Sequence, residues 1–331
     1  MNFELLIVRP LLFVVDIWFY LRHPRHAIMF RRRVGYWPCI GMPHLYHEKM
    51  LWRRFIDLNP LFTTFCDKLA VKDWAREINP AIPAPKTLWS GTDTDQLQAF
   101  SRKSAVILKS NHACNRNMRL EPDEKISDHI VDKVLEWLDE TWGAHNHQWG
   151  YRHVPPRLFI EEDVGQEEAP VVDISIHAMS GKPIIIEAIA TSDEGARQKG
   201  YFHPNGQRWR AIEPTNRRLG RALLPLEWQL PPGWEAARQG AATLSRQVDY
   251  ARFDFLLSKG QAFQGEITVY PAAGLNRARI FEAYSAEITA AWDLRRSWFL
   301  RTRQAGLWEL YRRALLRALD GESRQLAPVT P

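Results

Sequence analysis

Two hairpins constrain this chain more than any other feature. The runs VVDISIHAM and PIIIEAIAT flank Ser180, Gly181 and Lys182, and VDYARFDFLLSKGQAFQGEITVY turns on Ser258, Lys259 and Gly260. Strand-like runs joined by a short Gly-containing turn pair as antiparallel neighbours. Helical periodicity surrounds them. Leu45 to Ile78 reads as two helices broken at Asn59 and Pro60, Asp128 to Trp142 as an amphipathic helix with Ile130, Val134, Leu135 and Leu138 on one side, and Glu235 to Gln247 as another helix. Pro80, Pro83 and Pro85 exclude a continuing helix in NPAIPAPKTLW and favour an extended connector into a strand. Ala105 to Leu108 and RLFIEEDV supply further strand candidates, the second ending in acids. Helices interleaved with short hairpins indicate α+β layers and exclude an alternating parallel sheet.

The net charge of +6 is concentrated at the ends. Residues 1–33 and residues 293–324 each carry +4, which leaves the stretch between them at −2. The centre therefore lacks the basic stripe of a nucleic-acid-binding surface, and nucleic acid is not an expected partner. Cys39, Cys66 and Cys114 are far apart and form no zinc-ligand spacing, which fits a reduced, cytoplasmic chain. Residues 5–21, LLIVRPLLFVVDIWFYL, are interrupted by Arg9, Pro10 and Asp16 and fall short of a membrane span of about 20 apolar residues. Behind this run stand Arg22, Arg25 and Arg31 to Arg33. An apolar segment backed by arginines suits either a helix packed on its own domain with a solvated basic edge or a peripheral contact at the inner membrane face. In the tail, Leu307, Tyr311, Ala314 and Ala318 fall at helical spacing, which suggests a packed terminal helix.

Neither GxxxxGK[ST] nor GxGxxG after a strand is present, so a nucleotide site here must be of another type. The informative cluster is Arg252, Asp254, Glu266 and Thr268 in RFDFLLSKGQAFQGEIT. Residues two apart on a strand share a face, so pairing the two strands lets all four converge. Two carboxylates and a hydroxyl suit magnesium, which binds through one or two carboxylates plus substrate phosphates. Arg252 beside them is suited to a transferring phosphoryl group. The alternative is an exposed hairpin face bearing a cross-strand salt bridge.

From Tyr46 to Gly274 the chain resembles the ATP-grasp enzymes, and within them the TupA-like group of surface-polysaccharide and teichuronopeptide loci. The resemblance is carried by YHEKMLWRRFIDLNPLFTTFCDKLAVKDWAREI, by VILK followed by an NH-containing loop, by FIEEDV, by DISIHAMSGKP, and by RFDF with EITVYPAAG, in that order. It implies an ATP-grasp fold of two α+β subdomains whose antiparallel sheets sandwich ATP. By the same resemblance Lys68 and Lys109 contact the ATP phosphates, and Glu161, Glu162 and Val164 form the adenine-edge hinge. Asp173, with Glu168 close by, lies near the ribose. Asp254 and Glu266 match the Mg2+ ligands, Thr268 stands where many members have Asn, and Arg252 matches the arginine that stabilises the transferring phosphate. Two positions depart from the family. The loop SNHACNRNM lacks its usual glycines, with Arg116 a substitute source of charge, and Ser175 replaces a lysine.

The resemblance further implies a carboxylate–amine ligase that works through an acyl phosphate, modifying a surface polysaccharide or its precursor, for instance by joining an amino acid to a uronic acid. An ATP-grasp kinase acting on a glycan hydroxyl and a non-catalytic, membrane-associated scaffold are the alternatives. The expected organisation is an apolar and basic segment (1–44), a helical leader and connector (45–104), subdomain A (105–165), subdomain B with the metal site (166–290) and a helical tail (291–331).

Overall fold

The computed structural model describes residues 3–165, 171–192, 194–210, 222–275 and 282–326. The chain divides into two units: residues 1–59 together with 270–331, and the continuous stretch 60–269.

The first unit is helical. It contains α1 (Phe3–Arg22), α2 (Pro24–Val34) and α3 (Tyr46–Phe55) from the front of the chain. Val8, Leu12, Val15 and Phe19 form the buried stripe of α1. The acid inside that apolar run has a structural reason: Asp16 Oδ1 accepts from the backbone N–H of Ile40 at 2.7 Å and of Gly41 at 2.8 Å. No described helix is long and apolar enough to cross a membrane.

In the second unit, α4 (Leu61–Cys66) and α5 (Ala70–Ile78) lead through the proline connector to β1 (Thr87–Gly91) and α6 (Thr94–Gln98). Next come β2 (Val106–Ser110), β3 (Asn117–Leu120), α7 (Asp128–Asp139) and β4 (Leu158–Glu162). The first sheet has the order β1-β4-β2-β3, with antiparallel pairing throughout. Its back face packs Val106, Leu108, Leu120, Leu158 and Ile160 against Leu97 of α6 and Val134 and Trp137 of α7. The alternate residues Ile107, Lys109, Phe159 and Glu161 therefore share its front face.

The two hairpins build the second sheet from β5 (Val172–Met179), β6 (Lys182–Thr191), β7 (Arg197–Phe202), β8 (Ala251–Ser258) and β9 (Gln261–Thr268). Its order is β7-β6-β5-β8-β9, and every neighbouring pair is antiparallel. Helix α8 (Trp234–Leu244) covers one face with the stripe Ala237, Gly240, Ala241 and Leu244, of which the first three are small residues that let helix and sheet approach closely. Beyond it lie α9 (Glu282–Ala291), α10 (Trp298–Arg301) and α11 (Leu307–Leu326), which belong to the first unit. There α1 packs on α11, with Trp18 and Trp308 edge to face at 5.1 Å.

Several details differ from the sequence expectation. Between Leu45 and Ile78 there are three helices and not two, because Asp67 breaks the second: its Oδ1 accepts from the N–H of Leu69 and Ala70 and starts α5 afresh. Leu135 is exposed, and the packed stripe of α7 is Ile130, Val131, Val134, Trp137 and Leu138. Leu307 is likewise exposed, while Tyr311, Ala314, Leu315 and Ala318 are buried. Strand β3 alternates over only four residues, NMRL, too few to announce it, and β7, RQKGYF, carries no apolar alternation. Most of the irregular stretch WRAIEPTNRRLG, and Glu168, lie outside the described residues.

Candidate functional site

Opposing residues on paired strands point to the same side of a sheet. In the second sheet Ser175 faces Asp254 and Glu187, His177 faces Arg252, and Arg252 faces Thr268. These residues occupy the face that α8 does not cover. Between β8 and β9 the register shifts at Asp254, where Gly265 and Glu266 together oppose one residue. Such a bulge re-aims the side chain beside it. It also requires glycine, since a Cβ on Gly265 would lie 2.8 Å from the Asp254 carbonyl oxygen.

All four residues of the RFDF and GEIT cluster are thus brought together. Arg252 donates to both oxygens of Asp254, at 2.7 and 2.6 Å, and to Thr268 Oγ1 at 3.3 Å. Glu266 Oε1 lies 3.5 Å from Lys68 Nζ. The donor set fits magnesium in kind: hard carboxylate and hydroxyl oxygens on adjoining strands. With only two carboxylates it is an open site; among the described residues no cluster of three or more His, Cys, Asp or Glu side chains is placed to hold a metal.

The lysines meet this cluster from the other side of a narrow crevice. Lys109, on the front face of β2, donates to Glu161 Oε1, and Lys72 donates to Glu161 Oε2 at 2.6 Å. Lys72 also reaches Pro85 O at 2.8 Å and Thr87 Oγ1 at 3.2 Å, and sits 5.2 Å from the Phe159 ring centre. Burial pushes its pKa down, with the charge of Glu161 opposing. Lys72 was missed in the sequence, although it stands only four residues after Lys68, in CDKLAVK.

Lys68 lies in the turn between α4 and α5, fixed at both ends. Its N–H donates to Asn111 O at 3.0 Å, and its ammonium donates to Ala113 O. Asn111 Nδ2 donates to Asp67 Oδ1 and to Pro155 O, each at 3.0 Å, and Asn111 Oδ1 accepts from Arg157 N at 2.8 Å. The SNH loop and the CDK turn are therefore one hydrogen-bonded knot that sets the position of Lys68. This gives the glycine-poor loop a different task from presenting backbone N–H groups. Arg116 is not the loop's free charge either: Glu140 holds it at 2.7 and 3.0 Å.

The adenine-hinge candidates separate. Glu161 is buried on the crevice side, whereas Glu162 turns the other way, accepting from Lys86 N at 2.8 Å. Val164 is half-buried in the segment after β4. Asp173 lies on the crevice face of β5 and pairs with Arg197 at 2.5 Å.

A second set, unread in the sequence, lies beside Arg252 on the same face. Glu187 pairs with Lys199 and lies 3.2 Å from His177 Nε2, while His177 Nδ1 bonds Tyr250 Oη at 2.8 Å. Burial alone would raise Glu187 and lower Lys199, but their mutual attraction wins: the carboxyl sits well below its usual value of 4.5 and the ammonium is raised. Burial holds His177 below its ordinary 6.5. The only trace in the sequence was one acid inside PIIIEAIAT.

The sign of the pH dependence follows. A depressed carboxyl stabilises the fold above pH 4.5 and loses that contribution as the pH falls through its folded value, and a depressed histidine adds to the loss below pH 6.5. In thermal melts the stability gap between the native chain and Glu187→Gln is expected to be widest near pH 7 and to shrink below pH 4.5. A gap that stayed constant with pH would contradict the assignment.

The crevice is closed around these ion pairs. Lined by Lys68, Lys72, Lys109, Glu161, Leu256 and Glu266, it encloses about 30 Å³, space for little more than a water molecule.

No family model matches the sequence, and no curated protein matches it. Among solved structures, the D-alanine–D-alanine ligase from Bacillus anthracis aligns with a TM-score of 0.38 at 13% identity, over 78% of this chain and 69% of that one. The ATP-grasp ligase PsnB aligns with a TM-score of 0.36 at 13% identity, over 78% of this chain and 62% of that one. The macrocyclase MdnB from Microcystis aeruginosa aligns with a TM-score of 0.33 at 13% identity, over 70% and 58% of the two chains.

Proposed function

We propose that the chain is an ATP-grasp carboxylate–amine ligase that uses Mg2+ and ATP. The observation that carries this reading is the crevice lined by Lys68, Lys72, Lys109 and Glu266, with the Arg252–Asp254 pair on the same face of the second sheet as Glu266. Cations on one side and a carboxylate pair with a guanidinium on the other suit a polyphosphate with its metal. Asp254, Glu266 and Thr268 would hold magnesium, which would supply charge neutralisation for the bound polyphosphate. This reading assigns Glu161, Glu162, Val164 and Asp173 to the base and ribose, with Glu162 turned away from the crevice.

A substrate carboxylate oxygen attacks the γ-phosphorus, the bond to the bridging β–γ oxygen breaks, and ADP leaves. The amine nitrogen then attacks the acyl carbon, the C–O bond to phosphate breaks, and the amide forms with loss of a proton and inorganic phosphate. Arg252 stabilises the charge on the transferred group, and the lysines position it. A surface polysaccharide or its precursor, with a uronic acid and an amino acid as the reacting pair, is the substrate class this reading takes. ADP release from a panel of uronic acids and amino acids tests it: turnover should need both partners, and hydroxylamine should trap the acyl phosphate as a hydroxamate. Turnover on a glycan hydroxyl without a hydroxamate would identify a kinase instead. The closed crevice favours a non-catalytic scaffold as the second reading, which a calorimetric titration with Mg-ATP decides.

The N-terminal helices add a membrane contact to the proposal. On α1 the side chains of Phe13 (64% exposed), Val14 (56%), Ile17 (42%) and Leu21 (79%) lie opposite the buried stripe. Arg9, Arg22, Arg25, Arg31, Arg32 and Arg33 are exposed around them. An apolar face edged with arginines fits an anionic lipid surface, each basic residue contributing about 1 kcal/mol. Removing α1 would strip Phe19 from the core, so substitutions on the exposed face are the better test. The native chain should co-sediment with anionic liposomes at low salt and release as the Debye length shortens to about 3 Å near 1 M salt. Phe13→Ser with Leu21→Ser should abolish binding while the melt is unchanged. Absence of binding by the native chain at low salt would end the membrane proposal.

A further inference from the structure

A second concavity lies at the far end of β7, away from the crevice. Tyr201 points into the crevice face, since it pairs with Glu187, so its neighbour Phe202 points to the other side. Around Phe202 the turn at residues 203–207 and the segment at residues 226–234 enclose a shallow, open pocket of about 460 Å³. This is within the size range of small-ligand sites, about 300–1,000 Å³.

Its lining has a particular chemistry. Trp228 and Trp234 are half-buried, and Trp228 stands 5.9 Å from Phe202. The Trp234 indole lies against Gly206, where a Cβ would meet the ring at 3.0 Å and where φ is +85°. Glycine at this turn is thus needed both for the backbone and for the ring. Between the aromatics are Gln207, Glu227 and Gln229, all exposed, whose side chains make no hydrogen bond among the described residues. Two amides and a carboxylate supply paired donors and acceptors in planar groups. The cation in the lining, Arg208, is spent on the protein itself: Nη2 donates to Leu224 O at 2.9 Å and the guanidinium lies 5.2 Å from the centre of Phe202.

We infer that this pocket binds an uncharged pyranose unit of a glycan chain. Aromatic faces, which carry partial negative charge, accept the C–H face of a sugar ring, while amides and a carboxylate take its hydroxyls. A phosphate or a uronate would meet Glu227, and among the described lining residues the one cation, Arg208, is already engaged with Leu224 O and Phe202. The open shape suits one residue of a longer chain. The inference does not depend on the ligase reading, because binding here needs neither ATP nor metal.

The test uses the full chain without nucleotide, with β-1,4-glucose, α-1,4-glucose and β-1,4-mannose trisaccharides as neutral probes and an α-1,4-galacturonate trimer as the acidic one. Saturation-transfer NMR should show ring protons of at least one neutral trisaccharide in contact, and titration should rank it above the galacturonate. Trp228→Ala should weaken binding about tenfold or more. Because removing an indole also alters packing, Gln207→Ala and Glu227→Gln, both at exposed positions, serve as the second pair and should each weaken binding several-fold with an unchanged melt. Failure of all three neutral probes, preference for the galacturonate, or binding indifferent to these substitutions would overturn the proposal.

Discussion

Asp254→Ala and Glu266→Ala are each expected to lower magnesium-dependent ADP release at least about a hundredfold, the scale on which removal of one preorganised charge-stabilising group acts. Neither should move the melting temperature by more than a few degrees. Glu266 is partly solvated, with 42% of its side chain exposed, and Asp254 serves a guanidinium on its own strand. A variant that kept near-native turnover would remove that residue from the metal pair, and a variant that lost its fold would show that the bulge at Gly265 needs the carboxylates for stability.

The largest loss of stability is expected from Glu161→Ala. The carboxylate is 3% exposed and bonds both Lys72 and Lys109, whose side chains are 12% and 22% exposed. Removing it leaves two mostly buried ammonium groups without their shared counter-charge, which costs about 3–5 kcal/mol. Denaturant unfolding should show that loss. Adding Lys72→Met should recover much of it, since an apolar chain of similar volume tolerates the same burial. A Glu161→Ala protein as stable as the native chain would mean that water already reaches the lysines.

What the sequence revealed depended on how local each signal was. The hairpins at Ser180–Lys182 and Ser258–Gly260 are written in contiguous residues, so their strands and the convergence of Arg252, Asp254, Glu266 and Thr268 could be read directly. Lys109 announced itself at the end of an apolar run. The partners of these groups could not be read, because they come from distant segments. Glu161 joins Lys109 across the β2–β4 pair, and Asn111 meets Asp67 from 44 residues away. The SNH motif was visible, but its role in fixing the Lys68 turn was not, since side-chain to side-chain bonds leave no periodicity. His177, Glu187 and Lys199 were hidden for other reasons: Glu187 is a lone acid in an apolar run, where core packing is the ordinary expectation, and His177 and Lys199 come from two further strands that only the sheet order brings beside it.

The helical unit made from both ends of the chain sets an order of events during synthesis. Tyr311 accepts from the Trp52 indole at 2.8 Å and donates to Gly41 O at 3.1 Å, a separation of 270 residues. When residues 1–59 emerge from the ribosome, the surfaces that bury Trp52 and Tyr46, which include Phe299, Tyr311, Tyr284 and Trp292, have not yet been made. At about 5–20 residues per second the wait lasts some tens of seconds. During that interval the continuous stretch 60–269 is free to fold, while the apolar opening helix stays exposed and open to capture by chaperones or lipid. A circular permutant that joins the two ends and opens the chain within the 60–269 stretch would shorten that wait, and it should yield more soluble protein at rapid expression than the native order does.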